Sequence, residues 1–209
     1  RSRLRKRGLN EGPVRPTGAE RVGIVLSREL SARGVQCMFV ERNVTPTRHP
    51  KMDITNGRTM EHFRRLGMAD RVRAAAVPED HVFDVSWITD FAGHELARFT
   101  YPNVHEARES IRFVNDGSQP LEPDMRVSQI VLEPVLKSFL DEESLVDVRF
   151  GWAFVSFEEV PDGIVVTLKN TETDEQEEVH CQYLAGCDGG NSKVRKQLGI
   201  TLEGTPDVA

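Results

Sequence analysis

The stretch VQCMFVER, residues 35–42, constrains the fold more than any other in the chain. It is a short apolar run, stopped on one side by Gly34 and on the other by the charged pair Glu41 and Arg42. A strand with one wet face alternates apolar and polar residues, so an unbroken run is the pattern of a parallel strand covered on both faces. A parallel strand has to be reached by a crossover, and a helical pattern precedes this one. Residues 22–33 place Val22, Val25, Leu26 and Leu30 on one helical face, with Gly34 as the C-cap. Ahead of that helix stands TGAERVG, residues 17–23. A glycine loop, a helix, a glycine stop, a buried strand and an acidic residue follow one another in a dinucleotide-binding unit. Such a unit opens on G-x-G-x-x-G and carries its acidic residue about 20 positions further on. Gly18 and Gly23 take the first and third glycine positions, and Glu41 ends the strand as the acidic residue should. The plain alternative is a strand–helix–strand unit with a surface glutamate.

Two features of this loop conflict with phosphate binding. Its middle position is Glu20, where glycine is used because only a bare backbone lets a pyrophosphate come close. Two like charges ~4 Å apart repel by about 4 kcal/mol at an effective dielectric of ~20, against the roughly 8 kcal/mol of micromolar binding. Arg21 offsets part of this, and a helix dipole adds only ~0.3–1 kcal/mol. The second conflict is NEGPVRPT, residues 10–17, which stands where the first strand belongs. Pro13 and Pro16 lack backbone N–H groups and are poor in a central strand. Gly12-Pro13-Val14 is no substitute turn, because Arg15 and Pro16 follow it without a helix. The expectation is a missing first strand, with residues 1–17 forming a basic, irregular tail.

Beyond this unit, residues 57–76 read as a helix capped by Asn56 and broken near Gly67, and residues 81–101 as a β-hairpin. Residues 101–124 read as loop. Residues 125–143 carry a helical pattern with Ser128 as N-cap and Pro134 inside it, so the helix begins near Val131 or kinks there. Residues 146–179 read as an antiparallel meander, followed by a buried strand, YLAGC, and a short helix. A net charge of -6 argues against a general nucleic-acid binder. No apolar run approaches the ~18 residues of a membrane helix. The three cysteines form no C-x-x-C and read as reduced thiols of a cytoplasmic protein. The six histidines show no metal-ligand spacing.

A second motif is GCDGGNSKVRKQLGI, residues 186–200. It puts Asp188 at the carboxyl end of a sheet strand, where ligands sit in open α/β folds, and it puts Asn191 and Ser192 where they can cap the next helix. Read blandly, it is a D-G turn before a capped helix. Together with ARGVQCMFVER, HPKMDITNGRTMEHFRRLG and RVSQIVLEPVLK, it resembles the FAD-dependent aromatic-ring hydroxylases. These are single-component flavoprotein monooxygenases of the phenol or hydroxyphenylpropionate hydroxylase type. The resemblance runs from about Gly18 to Gly204, and CDGGNSKVR matches the family's internal DG motif.

The resemblance implies an α/β fold: a Rossmann-like parallel sheet of the glutathione-reductase type with an antiparallel β-meander, its first strand missing and its substrate domain incomplete. Residues 18–209 would form part of the FAD-binding domain, with 81–101 opening the substrate region. Gly18, Gly23 and the backbone around Glu20 would face the FAD pyrophosphate. Glu41 would bind the adenosine ribose, with Arg42 beside the adenine. Lys51 would keep a positive charge near the flavin and phosphates, Gln129 would lie along the FAD, and Asp188 would lie near the pyrophosphate and the route of NAD(P)H. NAD(P)H would be the reductant and a small phenolic ring the substrate, with a homo-oligomer among the possible assemblies. The family's later G-D motif would fall beyond Ala209, so no catalytic residue is assigned. Glu20 and the lost strand predict weak FAD binding and little hydroxylase activity from this chain alone. The competing readings are a non-enzymatic interaction remnant and an NAD-binding dehydrogenase fragment.

Overall fold

A computed structural model describes residues 14–17, 21–49 and 51–204, with side chains from residue 21 onward. The chain begins with β1 (Val14–Thr17), α1 (Arg21–Ser31) and β2 (Cys37–Glu41). It continues through β3 (Ile54–Thr55), α2 (Gly57–Arg65), α3 (Ala69–Ala74), β4 (Val85–Ile88), β5 (Glu95–Phe99), α4 (Val104–Val114) and β6 (Met125–Arg126). Helix α5 (Gln129–Asp141) leads into β7 (Val146–Phe150), β8 (Trp152–Val160), β9 (Gly163–Asn170), β10 (Gln176–Cys181), β11 (Tyr183–Gly186) and α6 (Lys193–Gln197). Two units result, one built from residues up to Pro46 and from Leu136 onward, the other from Thr47–Val135.

The first unit holds a four-stranded sheet in the order β11-β1-β2-β7, with every pair parallel. The first strand is therefore present, which corrects the expectation that it is missing and that residues 14–17 belong to an irregular tail. Val14, Arg15, Pro16 and Thr17 lie opposite Tyr183, Leu184, Ala185 and Gly186. On the other side, Val14 lies opposite Cys37 and Thr17 opposite Val40. A proline removes one N–H from a ladder and leaves its carbonyl and its neighbours' groups in place. An empty slot would instead strip partners from the facing edges of both β11 and β2.

Strand β2 is buried along its whole length. Met38 and Val40 join Phe154, Val166, Leu168, Val179, Cys181 and Val194 in one apolar cluster, which packs the meander β8-β9-β10 and α6 against the sheet. On the opposite face the Cys37 thiol reaches the Ser27 carbonyl of α1 at 3.8 Å. Both faces are covered, as the unbroken apolar run requires. The buried face of α1 is Gly23, Ile24, Ser27 and Ser31, whereas Val22 is 64% exposed. This face is thus Ile24 with the small residues Gly23, Ser27 and Ser31, not the expected Val22, Val25, Leu26 and Leu30. The expected meander over 146–179 is also divided: β7 joins the parallel sheet, and only β8 to β10 are antiparallel.

In the second unit β3 pairs with β6, and β4 with β5 as the expected hairpin. Asn56 caps α2 by accepting from the Thr59 N–H, and Gly67, at φ +71°, separates α2 from α3. The stretch 101–124 is not all loop. It contains α4, closed by a capping box in which Asn103 and Glu106 each accept the other's backbone N–H. Arg73, with its side chain 6% exposed, donates to Glu122 at 3.0 Å and to the Pro123 carbonyl at 2.7 Å, fastening the next segment to α3. Helix α5 starts at Gln129, before Val131, and contains Pro134. The Ser128 hydroxyl is buried without a hydrogen-bond partner, so it does not cap α5 as expected.

Candidate functional site

Strands β11, β1 and β2 are adjacent and parallel, so their carboxyl ends open on one side of the sheet. Neighbouring strands lie about 4.8 Å apart, which puts the ends of β11 and β2 on either side of β1 at about 10 Å. Strand β1 ends between them at Thr17, and the glycine loop of the sequence follows it. Its Gly18 and Glu20 lie outside the described residues. Gly23 is buried in the first turn of α1, where the lack of a side chain lets that turn pack closely.

Glu41 ends β2 and is 5% exposed. Its Oε1 accepts the Asn43 N–H at 2.7 Å, which turns the chain back on itself just past the strand. Arg42 is exposed, and its carbonyl accepts the Thr171 hydroxyl at 3.3 Å.

Asp188 stands two residues past β11. Its Oδ2 accepts the Lys193 N–H at 2.6 Å, and Ser192 Oγ accepts the Arg195 N–H at 3.0 Å, so α6 is capped twice. Burial disfavours the charged carboxyl. The hydrogen bonds from Ser192 and from the Lys193 and Val194 backbone outweigh that and hold its pKa below the ordinary carboxylate value. Burial, and then the Asp188 charge, push the neighbouring Cys187 thiol up, so it stays protonated. Asp188 Oδ1 is buried and meets no donor.

Lys51 and Gln129 belong to the second unit. Lys51 is exposed. Gln129 is 2% exposed; its Nε2 donates to Glu133 Oε1 and its Oε1 meets no donor. The structure thus brings Glu41 and Asp188 to one sheet edge, with Arg42 beside Glu41, and places Lys51 and Gln129 elsewhere in the chain.

Orphaned buried acceptors are costly, about 1–3 kcal/mol each, and rare unless a ligand or water serves them. FAD carries ribose and ribityl hydroxyls, donors of the kind each of these acceptors takes, so the residues present fit it. An ionised Asp188 only accepts, so its partner is a hydroxyl or a water and not a phosphate oxygen. Sequence reasoning missed Glu133. Its only signal was the four-residue spacing from Gln129 inside an apolar helical pattern.

Residues 14–209 match the family described as FAD binding domain. The chain belongs to that family. Over 199 residues it is 39% identical to the FAD-dependent monooxygenase apdD of Emericella nidulans, covering 95% of this chain and 32% of that protein. It is 30% identical over 199 residues to the 2,4-dichlorophenol 6-monooxygenase of Delftia acidovorans, covering 95% of this chain and 33% of the relative. The flavin-dependent monooxygenase PieE, solved with FAD and substrate, superposes with a TM-score of 0.81 at 32% identity, covering 93% of this chain and 33% of PieE. The chain therefore spans about a third of the length of the relatives it matches. Its cofactor is FAD. These matches lend no support to an NAD-dehydrogenase fragment, an interaction remnant or an inactive chain. Among the described residues no helix is long and apolar enough to cross a membrane.

Proposed function

We propose that this chain is the FAD-binding portion of a NAD(P)H-dependent flavoprotein monooxygenase that hydroxylates small phenolic rings. Supporting it are the family match over residues 14–209 and relatives whose names include a dichlorophenol monooxygenase. The observation that carries the site is the pairing of Glu41 and Asp188 at the carboxyl edge of one parallel sheet.

In this reading Glu41 accepts from the adenosine ribose hydroxyls and Arg42 lies along the adenine. Gly23 lets the first turn of α1 approach the pyrophosphate, and Gly18 with the backbone around Glu20 lines the same group, Arg21 offsetting the Glu20 charge. Lys51 supplies positive charge near the flavin and phosphates. Gln129 accepts from the flavin or its ribityl chain, and Asp188 accepts from a hydroxyl or water near the pyrophosphate and the path of NAD(P)H. Bound FAD supplies electron transfer from NAD(P)H to dioxygen, from which ring hydroxylation follows. Residues 18–209 form part of the FAD-binding domain, and the hairpin at 81–101 opens the substrate-binding region. The apolar side chains exposed on that hairpin, Trp87, Leu96 and Phe99 among them, offer a surface for the rest of that region or for a second copy. The cysteine pattern supports a cytoplasmic location.

A thermal-shift titration of the chain with FAD and with NAD tests the cofactor assignment, because a ligand that binds only the folded state raises Tm with its concentration. FAD is expected to raise Tm and NAD to leave it unchanged. A rise with NAD equal to or larger than that with FAD overturns the proposal.

A further inference from the structure

Gln129 and Glu133 lie one turn apart on α5, 2% and 6% exposed. Glu133 Oε1 accepts from Gln129 Nε2, and Glu133 Oε2 accepts the Thr47 N–H at 2.8 Å. The Gln129 backbone is held as well, its N–H donating to the Met52 carbonyl at 3.1 Å. We infer that Glu133 is a positioning residue that fixes the Gln129 side-chain amide so that its carbonyl oxygen, and not its NH2 group, is offered to FAD.

The two ends of a glutamine amide have nearly the same shape, so packing alone does not choose between them. Chemistry does. A carboxylate accepts only, so the end of Gln129 that faces Glu133 has to be the NH2. Its oxygen then points away, buried and without a donor. The carboxylate cannot swing to release the amide, because its second oxygen is tied to Thr47. A flavin and its ribityl chain present hydroxyls and a ring N–H; an amide turned the other way would set donor against donor. The inference rests on the proposal that Gln129 contacts FAD.

The isosteric exchange Glu133→Gln turns this into a test. Thr47 demands an acceptor, so the new amide gives its oxygen to Thr47 and its NH2 to Gln129. Gln129 must then turn its own oxygen inward and its NH2 outward. FAD affinity of the full chain should fall about tenfold or more. Gln129→Leu, which removes the acceptor outright, should give a similar loss. The exchanged pair Glu133→Gln with Gln129→Glu keeps the total charge and restores an outward acceptor, so it should recover affinity to within about threefold of the parent. Direct titration with FAD reads all four proteins, and thermal unfolding without FAD checks that each is folded. Recovery in the exchanged pair is something a merely structural glutamate would not give. If Gln129→Leu weakens FAD binding but Glu133→Gln does not, or if the exchanged pair stays as weak as Glu133→Gln, Glu133 does not position Gln129 and the site assignment stands. Unchanged affinity in Gln129→Leu removes Gln129 from the FAD site, and this inference with it.

Discussion

In the proposed reading Asp188 has two tasks, one for each oxygen, and an Asp188→Asn exchange separates them. Oδ2 caps α6 through the Lys193 N–H at 2.6 Å, while Oδ1 is the buried acceptor assigned to the cofactor. Asparagine caps a helix about as well as aspartate, and Ser192 continues to cap the Arg195 N–H. The loss in stability is then chiefly the charge–dipole contribution, ~0.3–1 kcal/mol. The effect on FAD is larger. The asparagine amide that caps α6 with its oxygen turns its NH2 to the position of Oδ1, so a hydrogen bond to a charged acceptor worth about 1.5–3 kcal/mol disappears, a loss of roughly 10- to 150-fold in Kd. Urea unfolding and FAD titration on the same two proteins measure both quantities. The pH dependence follows from the lowered Asp188 pKa. The stabilisation due to its charge is complete above its ordinary value of 3.8 and is lost as pH falls through the lower folded-state value. The stability gap between parent and Asp188→Asn should therefore be constant near neutrality and close in acid. Equal FAD affinity in the two proteins, or a gap that widens below pH ~4, would refute the division of labour between the oxygens.

Gly186→Ala should destabilise the first unit by roughly 1–2 kcal/mol in urea unfolding, since the added Cβ would lie 3.0 to 3.3 Å from the β-branched Val194 side chain, which is itself packed in the core. Neutral or increased stability would mean that α6 is free to retreat from β11. Arg73→Met should cost about 1–3 kcal/mol by thermal unfolding, because it removes the donor to Glu122 and to the Pro123 carbonyl and leaves Glu122 only the exposed Arg64, at 3.8 Å. Adding Glu122→Gln should recover part of that loss.

The elements legible in the sequence were those whose cause is local. The β2 strand was carried by its own apolar run, the hairpin by alternating residues around a turn, and α2 by Asn56 and its apolar face. Glu41 and Asp188 stood out as candidates because one ends such a strand and the other follows one by two residues. Strand β1 was not legible, because Pro16 argues against a strand locally and the partners that hold it there, β11 and β2, are supplied by the tertiary fold. Helix α4 escaped because the Pro, Asn, Asp and Gly residues within 101–124 made that stretch read as loop, although Val104, Ala107, Ile111 and Val114 recur at helical spacing and Asn103 and Glu106 form a capping box. The buried face of α1 was misassigned because hydrophobicity favoured Val22, whereas close packing on a sheet favours Gly23 and Ser27. Glu133 was hidden because a charge inside an apolar pattern gains meaning only when Thr47 and Gln129 are seen on either side of it.

In the proposed reading this chain holds FAD at the carboxyl edge of its parallel sheet, with Glu41 accepting from the ribose. FAD titration of the parent and of Glu41→Gln tests it most directly, because glutamine can still accept the Asn43 N–H and so preserves the turn beyond β2. The parent should bind FAD, and Glu41→Gln should bind it about 10- to 100-fold more weakly with thermal stability nearly unchanged. The same FAD affinity in both proteins, or preferential binding of NAD by the parent, would contradict it.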